Sequence, residues 1–264
     1  MHIKTLNSDG SSYGVGMPVI AYFSKKLTSA KALQDATKAT VNGKPVQGAW
    51  YFEYSSAHKG YPVEGHFRPQ NYWASHSKVS IDIPAEGLSA GKGLAFDNSL
   101  TLDFAIGARN ITTVDASTNK VTVTSDGRKL GTFPTSLGDP RGRGGNKRTR
   151  SGIKVIMEKG RDISMRGPGY YDPHIKFTQR LTYDGEYLHS APWNISNINR
   201  GIDTSNGCTN LLPKDAEKLY GVLNVGDVVT YPNADGPKMR LGQGYGDWNL
   251  SWSEWQTGGL VSTS

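Results

Sequence analysis

Between Tyr13 and Gly107 the chain repeats short runs of β-branched and aromatic residues, "MPVIAYF", "GAWYFEY", "KVSIDI" and "LTLDFAIG", with turn-forming residues between them. Runs of this length suit strands. One helical stretch is expected, around "SAKALQDAT". The 264 residues, 32 of them glycine, exceed the usual single domain of about 100–200 residues, so two mainly β domains are expected.

The first of these regions fits a β-sandwich of immunoglobulin type, without the inter-sheet disulfide of antibody domains because the chain holds one cysteine. "GARN", residues 107–110, reads as a joint, which gives an immunoglobulin-like domain over 1–108, a second β-rich domain over 109–234 and an extension over 235–264. In the second domain "KVTVT" followed by "SDGRK" predicts a hairpin with an Asp-Gly turn. The Gly-rich basic segment "RGRGGNKRTR", 141–150, does not read as a strand, whereas "GIKVIMEKG", "DGEYLHSAPW" and "DVVTYP" do. "LLPKDAEKLYGVL" predicts a helix: Pro213 suits a first turn, and Leu219, Val222 and Leu223 form an apolar stripe. Trp248, Trp252 and Trp255 in the tail are spaced for one helical face and are expected to pack against the second domain.

A net charge of +7 and a pI near 9.3 favour an anionic partner, with plain solvated basic surface as the alternative. No second thiol or dense Cys/His cluster stands ready for zinc, so no metal or cofactor is expected. The sequence has no run of about 18 apolar residues, and "MHIKTLNSDG" lacks the apolar core of an export signal. The basic loop lacks the interleaved aromatics of a nucleic-acid surface.

Cys208 lies in "DTSNGCTN" between a strand and the helix that starts near Pro213. Gly207 permits a sharp turn there, of the kind that exposes a nucleophile and aims backbone N–H groups at what it attacks. A helix N-terminus close by would favour the thiolate. His189, at the end of "YLHS", is the candidate base. Spacing alone favours a buried cysteine beside a structural histidine over a catalytic pair.

"HSAPW", followed by the cysteine of "SNGCTN", resembles the active-site signature of the L,D-transpeptidases. "YGVGMPV", "FRPQNYW" and "GDWNLSWSEW" resemble the immunoglobulin-like module and C-terminal extension of actinobacterial members, so the resemblance covers nearly the whole chain in order. It implies a mainly β protein with an N-terminal immunoglobulin-like sandwich, a β-rich catalytic domain with a short helix after the nucleophile, and a Trp-rich extension. It also implies acyl transfer in peptidoglycan: a tetrapeptide stem held as a thioester, D-alanine released, and a 3→3 cross-link made to an amine of diaminopimelate type or another acceptor. Carbapenem β-lactams would acylate the same thiol. By this resemblance Cys208 is the nucleophile, His189 the base and Ser190 the orienter of the imidazole through its backbone carbonyl. The N–H groups of Gly207 and Cys208 would form an oxyanion hole. Ser205, Asn206, Asn210, Trp193 and Tyr171 would line the substrate site, Tyr171 as an aromatic of the lid. The site would lie outside the plasma membrane, with an export or anchoring segment beyond the sequence in hand.

Two departures stand out. Asn206 replaces the family's histidine, and Asn can shape the turn but cannot carry charge near neutrality. "TRSGIKV" keeps Thr149 and Gly152 of a Thr-Pro-x-Gly hairpin without its proline, beside Arg141, Arg143, Lys147, Arg148 and Arg150. That loop could meet a stem carboxylate or an anionic wall polymer. An L,D-carboxypeptidase and a catalytically weakened wall-binding protein are the alternative functions.

Overall fold

The computed structural model describes residues 1–55, 58–142, 147–167 and 170–264. The chain forms two compact units, Met1–Ala108 with Leu250–Ser264, and Arg109–Asn249.

The first unit is built from two principal sheets. Four antiparallel strands run in the order Ile3–Thr5, Val19–Phe23, Val63–Pro69 and Gly48–Tyr54. Five run in the order Ser12–Tyr13, Leu100–Ile106, Ser77–Ile83, Lys38–Val41 and Lys44–Pro45. Ser77–Ile83 alternates buried with exposed or half-buried positions, as a strand with one wet face must. Val19–Phe23 and Val63–Pro69 are buried along their whole length. Their core is aromatic: Phe23, Trp50, Phe52 and Phe67 pack with ring centroids 5.4–6.4 Å apart. Gly65 is required there, since a Cβ would lie 2.8 Å from the Phe52 ring. The helix expected near "SAKALQDAT" is Lys31–Ala36.

The tail departs from the sequence expectation in two ways. Its tryptophans do not share one helix: Trp248 lies in the 3-10 turn Asp247–Asn249 of the second unit, and Trp252 and Trp255 lie in a separate helix. That helix, Trp252–Trp255, has a capping box in which Ser251 and Glu254 exchange hydrogen bonds, and it belongs to the first unit. Residues 235–264 are therefore divided between the two units. The reason is the indole of Trp255, fully buried, which donates to the Ala49 carbonyl at 2.8 Å, stacks on Tyr51 and lies under the Arg68 guanidinium.

The second unit is one mixed ten-stranded sheet, in the order Glu158–Gly167, Tyr170–Arg180, Tyr187–Ser190, Thr209–Leu211, Arg128–Ser136, Lys120–Ser125, Asn110–Asp115, Val228–Tyr231, Arg150–Val155 and Gly236–Lys238. The Asp-Gly hairpin is present, with Asp126 at φ 48° and Gly127 at φ 80°, the left-handed pair that such a two-residue turn needs. Val114, Val121, Phe133, Leu188, Leu211 and Leu219 form its core, the last from the helix Pro213–Val222. Parallel pairing of Tyr187–Ser190 with Thr209–Leu211 governs the site. Parallel neighbours need a crossover, supplied here by a 3-10 turn, Pro192–Asn194, and the helix Ile195–Arg200.

Candidate active site

The parallel register sets His189 directly opposite Asn210 and Leu188 opposite Thr209, so the side chains of His189 and Asn210 share one face. Cys208 immediately precedes that strand. The 19-residue spacing of histidine and cysteine is thus the length of one crossover.

His189 and Cys208 line one pocket of about 230 Å³ together with Trp193, Ser205, Asn206 and Asn210. The Nδ1 of His189 lies 2.9 Å from the Ser190 carbonyl oxygen, which can only accept, so Nδ1 carries the proton and Nε2 is left as the basic nitrogen. Trp193, 61% exposed, stacks on the imidazole at 6.0 Å between centroids. Burial holds His189 below its ordinary 6.5, against the opposing Ser190 hydrogen bond and the charge of Asp172. It is neutral at neutral pH.

Cys208 is buried, and its Sγ–H donates to the Gly185 carbonyl at 3.5 Å. Burial pushes the thiol up to about 12, against a backbone hydrogen bond from Tyr187 that works the other way. No hydrogen bond joins His189 to Cys208 among the described residues; catalytic contacts are often loose before substrate binds. The helix N-terminus expected to aid the thiolate is not at the sulfur. Thr209–Leu211 intervenes as a strand, and the helix begins only at Pro213.

The elbow is braced from within. The Ser205 hydroxyl donates to the Cys208 carbonyl at 2.7 Å and accepts from the Gly207 N–H at 3.1 Å. That bond engages the Gly207 N–H expected for an oxyanion hole. Gly207 sits at φ 112°, open only to glycine at low cost, and its carbonyl accepts from Thr149 Oγ1 at 2.9 Å. Thr149 also accepts from the Gly138 N–H, so the loop "TRSG" holds the turn without its proline. Asn206 is exposed at the pocket wall. Asn210 is buried and its Oδ1 has no hydrogen-bond partner among the described residues.

Tyr171 is not among the residues that line the pocket. In the hairpin of Glu158–Gly167 with Tyr170–Arg180, Met165 pairs with Asp172 and both line the pocket, while Tyr171 pairs with Arg166. Alternation turns Tyr171 to the other face, where the Arg166 guanidinium lies 4.6 Å from its ring and the Ser164 hydroxyl 3.4 Å from its own. Asp172 is the functional candidate that sequence reasoning missed, the one formally charged side chain lining the pocket among the described residues. Its only signal in the sequence was its place next to Tyr171.

The basic loop is largely compensated. Arg141 pairs with Asp139 at 3.2 Å, Arg148 with Asp235 at 3.4 Å, and Arg150 with Asp184; Arg143 lies outside the described residues. Three groups able to ligate metal, Glu53, Glu64 and His66, gather in the first unit, where His66 pairs with the carboxylates at 3.8 and 3.5 Å.

Residues 109–230 match the L,D-transpeptidase catalytic domain, and residues 1–89 match a bacterial Ig domain. The lone thiol and the carbonyl-oriented imidazole share one pocket of that domain's mixed β-sheet. By that match residues 109–230 are an L,D-transpeptidase catalytic domain. L,D-transpeptidase 2 of Mycobacterium tuberculosis is 29% identical over 259 residues, 95% of this chain and 60% of that protein. L,D-transpeptidase 5 of the same species is 30% identical over 263 residues, 96% of this chain and 56% of that protein. The chain spans less than two thirds of these relatives' length. Among solved structures, an L,D-transpeptidase in complex with imipenem has a TM-score of 0.67 at 26% identity, covering 86% of this chain and 97% of that one. Another from Mycobacterium tuberculosis H37Rv has 0.66 at 25%, covering 87% and 97%.

Proposed function

We propose that the protein is a peptidoglycan L,D-transpeptidase that makes 3→3 cross-links through a thioester on Cys208, working outside the plasma membrane. The observation that carries this reading is the His189 tautomer: Nδ1 bound to Ser190 leaves Nε2 as a base in the pocket that holds the only thiol.

The steps follow from the site. Sγ attacks the carbonyl carbon of the third stem residue while its proton passes to Nε2 of His189. The tetrahedral oxyanion is met by the Cys208 amide, since the Gly207 N–H is held by Ser205. His189 returns the proton to the departing D-alanine nitrogen as the C–N bond breaks, leaving the thioester. An acceptor amine then attacks, His189 takes its proton, and the sulfur leaves and recovers one. Two pocket groups suit nitrogen-bearing substrate: the Asp172 carboxylate and the unpartnered Asn210 Oδ1 both accept hydrogen bonds, and neither donates one there. An acceptor bearing an ammonium fits them. Trp193 covers the imidazole and walls the pocket against water. Carbapenems would acylate Cys208 by the same first step.

Intact-mass measurement after exposure to a carbapenem and to a tetrapeptide stem tests the reading. A covalent adduct in the native chain, absent from Cys208→Ala, is expected, with cross-linked dimers when an acceptor stem is present. Tripeptide without dimer would make the protein an L,D-carboxypeptidase; no adduct with either compound would leave a wall-binding role.

A further inference from the structure

A buried ion pair lies against the nucleophile turn without lining the pocket. Lys154, the residue before the last of Arg150–Val155, is fully buried, its ammonium paired with Glu186 and 3.8 Å from the centre of the Tyr231 ring. Glu186 Oε1 accepts from the Arg150 N–H at 2.9 Å, and the Glu186 N–H donates to Thr182 Oγ1 at 2.9 Å. Both ends of Glu186 are fixed.

What Glu186 holds is the backbone around the sulfur. The carbonyl of the residue before it, Gly185, accepts from Cys208 Sγ–H, and Tyr187, the residue after it, supplies a backbone hydrogen bond to the sulfur. Its side chain also fills the space beside Gly207, where a Cβ would come within 3.5 Å of Glu186 Cγ and Oε1. The same chain segment braces the turn from a second point, through Thr149 Oγ1 to the Gly207 carbonyl. A buried ion pair is weak evidence for a role in fold stability. Taking two ions out of water costs several kcal/mol each, and apolar side chains of similar volume often serve as well or better.

We propose that Glu186, tied down by Lys154, is a positioning residue for the nucleophile: the pair fixes the 185–187 backbone that clasps the Cys208 sulfur and sets the field in which the thiol gives up its proton. This rests on the acyl-transfer reading for its catalytic consequence, but the state of the thiol can be read without it. The charged and titratable groups facing Cys208 are Glu186 and Asp172, which oppose the thiolate, Lys154, which favours it, His189 across the pocket, and the Tyr231 phenol. Arg150 acts on Lys154 in turn. The carboxylate at 186 opposes the thiolate and the ammonium at 154 favours it. Removing the carboxylate's charge while Lys154 keeps its own therefore favours the thiolate.

The test uses two variants of the full chain, a small disulfide reagent that reports the thiol, and a carbapenem that reports acylation. Glu186→Gln keeps the shape and can still accept from Lys154; its disulfide-exchange profile is expected to shift to lower pH by about one unit, the usual size of one neighbouring charge. The double variant Lys154→Met, Glu186→Leu is expected to fold with an unchanged or higher Tm and to acylate at least about tenfold more slowly, because the clasp is untied. A Glu186→Gln profile superimposable on the native one, or a double variant that acylates at the native rate, overturns the proposal. If the double variant does not fold, the Glu186→Gln profile alone decides. A native chain that forms no carbapenem adduct, while Glu186→Gln still shifts disulfide exchange, defeats the acyl-transfer reading and leaves the positioning of the thiol standing.

Discussion

Cys208 should behave as a thiol that keeps its proton until substrate arrives. Burial raises it from the ordinary 9.0 to about 12, which lowers the thiolate fraction at neutral pH about a thousandfold, equivalent to about 4 kcal/mol. A thiolate of higher pKa is also a stronger nucleophile, with a Brønsted slope of about 0.4–0.5, so roughly twentyfold of the loss returns in each encounter. Exchange with a small neutral disulfide at pH 7.5 should therefore run about fiftyfold slower than with an unburied cysteine. The rate should climb about tenfold per pH unit up to pH 10 without a plateau. Carbapenem acylation should follow another curve, because there the proton moves to His189 in the same step. That rate should rise as His189 deprotonates, with a midpoint below 6.5, and stay flat through neutrality. Stopped-flow disulfide exchange and mass-detected acylation, both across pH 5–10, give the two curves. A disulfide-exchange curve that levels off near pH 7 would mean a preformed thiolate and imidazolium pair, and would refute proton transfer during attack.

His189→Ala should lower carbapenem acylation at least about a thousandfold while leaving far-UV circular dichroism unchanged, and a smaller loss would move the base elsewhere. Because the folded His189 value lies below the ordinary 6.5, its contribution to stability is intact above that pH and is lost as pH falls toward the depressed value; His189→Gln should flatten the dependence of Tm on pH between about 7 and 5. Asp172→Lys should weaken use of an ammonium-bearing acceptor at least about tenfold in kcat/KM with less change in carbapenem acylation, and equal losses in both would remove acceptor recognition from Asp172. Residues 109–249, expressed alone, should fold cooperatively and keep a carbapenem-reactive Cys208; the boundary at Asn249 replaces the one expected at the chain end, since Trp255 is anchored on Ala49.

The strands quoted from the sequence were legible because each is a short apolar run between turn residues, whereas the polar hairpin of Glu158–Gly167 with Tyr170–Arg180 was not; the Asp-Gly hairpin was legible because such a pair accepts two left-handed residues at low cost. The pairing of His189 with Cys208 came from resemblance. Spacing alone could not separate it from a structural histidine, since it records only the length of a crossover. Tyr171 lies off the pocket wall for a local reason: within a hairpin, neighbours face opposite sides, and sequence alone does not fix which residue of "YYD" turns inward. Register does, through the pairing of Met165 with Asp172.

The thiol's environment was hidden for a different reason. From "SNGCTN" followed by Pro213, a helix N-terminus beside the sulfur was a fair expectation, and it would have lowered the thiol's pKa. Thr209–Leu211 must instead pair with Tyr187–Ser190 to bring His189 and the elbow together, and that strand separates the helix from the sulfur. The assistance a helix could give is exchanged for proximity to a base. The remaining electrostatics fall to charges that sequence patterning reads as solvent-facing: Lys154 in "GIKVI" and Glu186 in "GEYLH" look like the wet positions of half-exposed strands, yet both are buried and paired. Asn206 fits the same arrangement. It is exposed, so a charge there would be screened by solvent, and Asn206→His should move the acylation profile by less than about one pH unit. With Cys208 buried, the groups that matter to its proton are the ones beside it in the interior, and the surface position at 206 shapes the turn.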